Sequence, residues 1–272
     1  MPLAKKSLKN RLMNYKYYYT YGLFDVMRKR EKSLLSAFSP ETLHTVADCD
    51  AERCDCLILV SEAHPVTQDK EAGLVLVDEK NFAAEEMAEP LRVLISACEE
   101  TCAEKILFTS IYRTLAFQSS IYGVNPFAAR PGESEHHSGL AADIKVDGYA
   151  QRRFIMSGTG KWMAKNAHRY GFIIRYPLWA EKRTGVDYEP WHLRYVGSPH
   201  AELIYRQKIT LEEYLETLEP GLFYRFGGWV ISRQTGNRLV MPQNAQSIRY
   251  SADTRGGWIV WGKERPSCSM LS

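Results

Sequence analysis

Apolar and polar positions divide the chain into a weakly patterned beginning, a mixed middle and an end of short alternating runs. Up to about Asp48 the periodicity is weak and predicts a single helix over residues 23–38. The apolar runs at 56–60 and 73–77 read as strands. Leu91, Leu94, Ile95, Cys98 and Cys102 recur at helical spacing, which predicts a helix over 90–103 with Pro90 in its first turn. Residues 106–112 are β-branched and aromatic and predict a strand, with a helix following over 115–122. Pro131 and Gly132 mark a loop, and 140–146 reads as the next strand. A helix over 161–170 should stop at Gly171, and strands should follow at 172–176 and 191–196. Thr210 and Glu213 form a capping box ahead of a short helix over 211–218.

The texture changes after Pro220. Residues 229–233 and 238–241, with a turn at 234–237, read as one hairpin; 247–251 and 258–261, joined through Gly256 and Gly257, read as a second. The expected organisation is therefore a basic, helical N-terminal segment (1–48), a main mixed α and β domain (49–219) and a small β-hairpin appendage (220–272).

Composition narrows the class. With 45% hydrophobic and 25% charged residues in 272, the chain has the balance of a soluble globular protein. A net charge of +3 without a long basic face gives no case for nucleic acid. The positive charge between Lys5 and Lys32 reads as a solvated segment, with an arm near an anionic surface as the alternative. No apolar run reaches the roughly 18 residues of a membrane span, and residues 14–21 are too polar for a signal-peptide core. The expectation is a cytoplasmic location, or the cell envelope if an upstream anchor was removed. Six unevenly spaced cysteines, Cys49, Cys54, Cys56, Cys98, Cys102 and Cys268, fit free thiols. His44, Cys49, Cys54 and Cys56 match no common structural zinc spacing, and Cys98 and Cys102 suit packing as small hydrophobes.

Two islands carry candidate chemistry: Ser134-Glu-His-His-Ser-Gly-Leu-Ala-Ala-Asp143 and Tyr188-Glu-Pro-Trp-His-Leu-Arg-Tyr195. His136 and Asp143 stand seven apart, and Glu189 and His192 three apart. Two imidazoles and one carboxylate make a three-ligand set for Zn²⁺ that leaves a position open for water. A carboxylate beside that water, as Glu189 could be, can take its proton. On spacing alone, satisfied core or surface histidines are the leading reading and the metal set the alternative.

The islands resemble the motifs of the VanY/VanX peptidases, Ser-x-His-x-x-Gly-x-Ala-x-Asp and Glu-x-Trp-His. Ser134, His136, Gly139, Ala141, Asp143, Glu189, Trp191 and His192 meet every fixed position. The flanks Gly171-Phe-Ile-Ile-Arg-Tyr-Pro177 and Glu189-Pro-Trp-His-Leu-Arg-Tyr-Val-Gly197 look like the VanY branch rather than VanX, and the likeness covers about Leu57 to Leu218.

The resemblance implies an α+β fold, a central antiparallel sheet carrying zinc with flanking helices, to which the β appendage is joined. It implies zinc held by His136, Asp143 and His192, with Glu189 as general base and Arg113 stabilising the oxyanion. Ser134 and Gln118 match pocket positions for the terminal residue and its carboxylate. A loop cap and an exposed helix residue are their plainer roles. Trp191 and Tyr176 are expected in the pocket wall, or in the core. The implied activity is D,D-carboxypeptidase action on peptidoglycan stem peptides. L,D-carboxypeptidase, D,D-dipeptidase and phage-type endopeptidase activities share the motifs, and a wall-binding or scaffold protein is the alternative of another class. Two departures stand out. Ile111-Tyr-Arg-Thr replaces Gly-Tyr-Arg-Ser, and His137 replaces Gln as an extra imidazole expected beside the metal rather than on it.

Overall fold

The computed structural model describes residues 27–265. The fold is α+β, and two antiparallel-rich sheets dominate it. The first has four strands: β6 (Ile106–Ser110), β7 (Ala141–Val146), β8 (Phe172–Tyr176) and β9 (Glu189–Tyr195), in the order β6-β7-β9-β8. All its ladders are antiparallel. Along β7, Ala142, Ile144 and Val146 enter the hydrophobic core, as do Trp191, Leu193 and Tyr195 of β9. The period of two then sends Asp143, His192 and Arg194 to the opposite face.

The core beneath this sheet is closed by α1 (Glu85–Cys102), which buries Met87, Ala88, Leu91, Leu94 and Cys98. That stripe is the predicted one, but the helix starts five residues before Pro90, which therefore lies inside it. The short helix α2 (Leu115–Ile121) is capped by Thr114, whose hydroxyl accepts from the Phe117 amide. Further on come α3 (Gly158–Asn166), the single turn α4 (Glu181–Thr184), α5 (His200–Gln207) and α6 (Leu211–Thr217). The chain leaves a short 3-10 turn after α3 at Gly171 with φ 85°, a left-handed position that suits glycine. The capping box of Thr210 and Glu213 opens α6 as expected.

The second sheet has six strands: β1 (Ser36–Phe38), β3 (Ala51–Arg53), β10 (Phe223–Phe226), β11 (Trp229–Gln234), β13 (Ala245–Ala252) and β14 (Trp258–Glu264). Their order is β1-β10-β11-β14-β13-β3. Two small two-stranded pairs complete the described strands: β2 (Leu43–Thr45) with β12 (Val240–Pro242), and β4 (Leu74–Leu76) with β5 (Phe82–Ala84).

Several sequence expectations need correction. Residues 29–35 are not helical and 36–38 form β1, because Phe38 and its neighbours pair with Phe223–Arg225. The rest of that predicted helix, residues 23–26, lies outside the described residues, as do residues 1–22 and Cys268. Residues 56–60 are buried except for the half-buried Ile58 but form no ladder: the Leu57 and Leu59 amides donate to Ser251 and Thr254 hydroxyls, and Arg194 takes the Cys56 and Ile58 carbonyls. Side chains satisfy this backbone where a strand partner would otherwise be needed. Residues 229–233 and 238–241 do not pair with each other. β11 lies between β10 and β14, while β12 pairs with β2, and the Gln234 side chain brackets Val240 through its amide and carbonyl. The predicted second hairpin does form, as β13 and β14.

One hydrophobic core runs through both sheets. Tyr224, Phe226, Ile231, Ile259 and Trp261 belong to the same cluster as Leu193, Trp191 and Leu91. A smaller cluster, including Phe223, Val230, Met241 and Val260, fills the other side of the second sheet.

Candidate metal centre

The strand register builds the site. Asp143 on β7 stands opposite His192 on β9, so both side chains leave the sheet on one face. His136 reaches the same place from a 3-10 turn, Glu135–Ser138, just ahead of β7. The turn ends at Gly139 with φ 73°, where a Cβ would stand 2.9 Å from the Ala84 amide nitrogen. A side chain there would push the turn off β5, just ahead of α1, which gives the motif glycine its physical reason.

His136, Asp143 and His192 are all buried, and one ligand atom from each lies within 4.8 Å of the others. Asp143 Oδ1 is 2.9 Å from His192 Nδ1, and Asp143 Oδ2 is 3.1 Å from His136 Nε2. This is the one such cluster among the described residues. His44, Cys49, Cys54 and Cys56 do not form another; Cys54 and Cys56 pair thiol to thiol at 3.1 Å.

The tautomers fit a cation. His136 Nδ1 donates to the Ile111 carbonyl at 2.5 Å, which leaves Nε2 unprotonated and turned to the cluster. Two imidazoles and a carboxylate are a donor set suited to zinc. Charge in the cluster is strongly biased. Burial favours a neutral Asp143, but His136 and His192 hold its carboxyl well below the usual range. Burial pushes His136 down to about 4. For His192 burial is outweighed by the Asp143 carboxylate bonded to its Nδ1 and by the nearby Glu135 carboxylate, which raise it to about 9.

Glu189 begins β9 opposite Tyr176, and its Oε2 is 3.8 Å from His192 Nδ1. Burial raises its carboxyl to about 8. Arg113 follows β6 and is held three ways: Nε donates to Ser110 Oγ at 2.6 Å, Nη1 to Gln118 Oε1 at 3.3 Å, and Nη2 to Asp143 Oδ2 at 2.8 Å. Arg113 is thus at the cluster and is no surface arginine. Gln118 is fully buried rather than exposed, with its amide donating to the Ala129 carbonyl at 2.8 Å.

Tyr176 packs its ring 5.0 Å from that of His192. Trp191 is buried in the main core, edge-on to Phe127 at 5.2 Å. Ser134 is buried at the head of the 3-10 turn, but its hydroxyl does not cap it.

Both departures have local explanations. Ile111 is wholly buried, so its side chain fills the core while its carbonyl is the group that orients His136. His137 lies beside the cluster. Its Nδ1 donates to the Arg113 carbonyl at 2.8 Å and its Nε2 accepts from the Gly132 amide at 3.1 Å. With both nitrogens engaged it buttresses the Arg113 segment.

Sequence reading passed over three residues here: Glu135, Arg175 and Arg194. Glu135 Oε1 accepts from Arg175 at 2.7 Å and from Arg194 at 2.8 Å, and all three side chains are enclosed. An acidic residue directly before a ligand histidine was the available signal, but it fell on a variable position of the motif.

A buried imidazole–carboxylate cluster at the centre of an antiparallel sheet, with a second carboxylate beside it, places the chain among metallopeptidase folds. The family model described as VanY, D-alanyl-D-alanine carboxypeptidase, matches residues 80–198. The bifunctional D-Ala-D-Ala dipeptidase and D-Ala-D-Ala carboxypeptidase VanXYC of Enterococcus gallinarum is 35% identical over 182 residues, 60% of this chain and 94% of that one. A D-alanyl-D-alanine carboxypeptidase of Enterococcus faecium is 32% identical over 180 residues, 60% of this chain, and the match spans only 58% of that relative's length. Among solved structures, a vancomycin-resistance D,D-pentapeptidase VanY from a VanB-type resistance cassette, a point mutant in complex with Zn(II), is similar with a TM-score of 0.52 and 32% identity, over 59% of this chain and 98% of that one. The chain belongs to the VanY family of D-alanyl-D-alanine carboxypeptidases.

No helix among the described residues is long and apolar enough to cross a membrane.

Proposed function

We propose that this chain is a zinc-dependent D,D-carboxypeptidase that removes the terminal D-alanine from peptidoglycan stem peptides. The observation that carries the reading is the convergence of His136, Asp143 and His192 within 4.8 Å, with the buried Glu189 alongside. The zinc complex of the VanY D,D-pentapeptidase supports the choice of metal.

His136, Asp143 and His192 would hold the ion, which supplies Lewis acidity and makes water acidic enough to attack at neutral pH. Glu189, its basicity raised by burial, takes the proton of the attacking water and returns it to the departing amine. Arg113 presents a permanently charged guanidinium beside the cluster for the oxyanion that develops on the scissile carbonyl. Gln118 holds Arg113, while Ser134 and Tyr176 line the approach for the terminal residue and Trp191 packs in the core behind the sheet. Residues 49–219 carry this machinery, and the C-terminal strands complete its core.

The test is a product analysis. Purified protein is incubated with a stem pentapeptide, a tetrapeptide and free D-Ala-D-Ala. Release of D-alanine from the pentapeptide alone, abolished by chelation and restored by zinc, is the expected result. Cleavage of the tetrapeptide or the dipeptide instead would reassign the substrate to L,D-carboxypeptidase or D,D-dipeptidase action. No cleavage of any of the three would sink the enzymatic reading.

A further inference from the structure

His192 has two working nitrogens. Nδ1 faces Asp143 within the metal cluster, at 2.9 Å from Oδ1. Nε2 faces away from it, 3.6 Å from Glu135 Oε2. Both Nε2 and Oε2 are buried, and neither has another hydrogen-bond partner. At that separation the pair stands just beyond a normal hydrogen bond, and a movement of a few tenths of an ångström by the imidazole closes it.

Glu135 cannot easily turn elsewhere. Its Oε1 is clamped by Arg175 Nε and Arg194 Nη1, and its side chain has no exposure. Arg175 is itself held by Glu212 of α6, with Nη1 3.0 Å from Oε2. Arg194 is held by the Cys56 and Ile58 carbonyls. The two arginines keep Glu135 ionised despite its burial, well below the usual carboxylate range. A carboxylate already paired on one oxygen would ordinarily need nothing from His192; here the free oxygen is aimed at an imidazole nitrogen with no other acceptor.

We propose that Glu135 is a positioning residue for the metal centre. It accepts the Nε2 proton of His192 and so fixes Nδ1 as the unprotonated nitrogen turned to the ion. This mirrors the Ile111 carbonyl, which fixes His136 in the opposite tautomer with Nε2 turned inward. The two histidines are thus set by two different acceptors, and the arginine pair locks the second one in place. The inference rests on the zinc reading of His136, Asp143 and His192.

Zinc affinity, measured by competition with a chromophoric chelator, tests it without reference to turnover. Glu135→Gln preserves size, but its amide cannot both accept from two arginines and accept from His192. The expected result is zinc binding weakened by about 10- to 100-fold, the range for loss of such an outer partner. Glu212→Gln perturbs the same arginine without touching His192. It should lower Tm and leave zinc affinity within about two-fold. A folded Glu135→Gln protein with wild-type affinity overturns the proposal, as does an equal loss in both variants. If wild-type protein binds no stoichiometric zinc, the metal reading itself fails, and this inference with it. Should Glu135→Gln not fold, ¹⁵N imidazole spectra of the zinc-loaded wild type decide. Zinc on His192 Nδ1 with a slowly exchanging proton on Nε2 is expected, and the reverse assignment refutes the idea.

Discussion

The two large sheets handle charge in opposite ways. In the four-stranded sheet all seven residues of β9 are buried, and the interior holds Glu135, Asp143, Glu189, Arg175 and Arg194. In the six-stranded sheet β13 buries only Ala245, Ile248 and Ser251 of its eight residues, and most ion pairs lie at the rim, as in Arg225 with Glu264 and Arg249 with Glu52. Rim pairs contribute little to stability. Enclosed pairs carry a desolvation penalty that hydrophobic replacements would avoid. The contrast teaches that the first sheet is arranged around its chemistry and the second around packing. The shared core that includes Leu193 and Trp261 nevertheless makes the second sheet part of the scaffold of the first.

The largest expected effect follows from that shared core. Ending the chain after Glu219 would remove Tyr224, Phe226, Ile231, Ile259 and Trp261 from the main cluster and leave β1 and β3 without partners. Each large buried side chain is worth about 1.5–3 kcal/mol of burial, so their joint loss is about as large as the whole stability of an ordinary domain. The truncated protein should show no cooperative thermal transition by circular dichroism. A truncation that melts like the full chain would break the comparison by showing two independent units.

Next in size are the chemical groups of the first sheet. Glu189→Gln keeps side-chain length and removes basicity. It should lower kcat by at least ~10²-fold with zinc content unchanged. Zinc lost together with activity would make Glu189 a ligand or a structural residue. For Arg113, both Arg113→Lys and Arg113→Ala should lower kcat by roughly 10²-fold. A rise in KM with kcat intact would instead mark it as a substrate anchor. Because Arg113 also touches Asp143, zinc content must be measured alongside.

Much of this was legible in the sequence, and the rest was not for identifiable reasons. β-branched, aromatic and apolar runs disclosed β6 to β9, the 3.6-residue period disclosed the buried stripe of α1, and the residue types at Thr210 and Glu213 disclosed the capping box of α6. The fixed motif positions pointed to the residues that gather at the cluster. Strands of three residues such as β1 and β3 are too short to show a period, and their pairing partners lie about 190 positions away. Residues 56–60 looked like a strand because they are apolar, but side-chain donors and acceptors satisfy their backbone. Glu135, Arg175 and Arg194 were missed because charged residues in a strand or turn read as surface until a partner is visible, and theirs come from 40 and 59 positions apart.

His200 probes the seam between the two sheets through pH. Its ring lies edge-on to Trp261 of β14 at 4.5 Å, and its Nδ1 is 2.6 Å from the Tyr214 hydroxyl of α6. Burial pushes it down to about 3. The folded state therefore keeps His200 neutral while the unfolded chain takes up a proton below about pH 6.5. Stability from this residue is full above that value and falls steadily as pH drops towards 3, by about 2 kcal/mol at pH 5. His168, pushed to about 4, adds to the same trend. Urea melts at pH 7.5 and pH 5 should show the loss, and His200→Phe should reduce it by about one proton's worth. An unchanged pH slope in the variant would mean that His200 is not enclosed at the seam.

The smallest expected effect separates helix stability from site chemistry. In α6 the Thr210 hydroxyl accepts from the Glu213 amide at 3.2 Å, and the Glu213 carboxylate accepts from the Thr210 amide at 2.8 Å. Thr210→Ala removes half of this box and should cost about 1 kcal/mol, with Thr210→Ser restoring most of it. The same helix carries Glu212, which grips Arg175 and through it Glu135. If the arginine network is rigid, weakening the cap should lower Tm slightly and leave kcat and zinc affinity untouched, because the ion pairs hold the first turn in place. A fall in zinc affinity out of proportion to the change in Tm would show the opposite. The metal centre would then depend on the packing of a peripheral helix, and chemistry and packing would be less separable than the two sheets suggest.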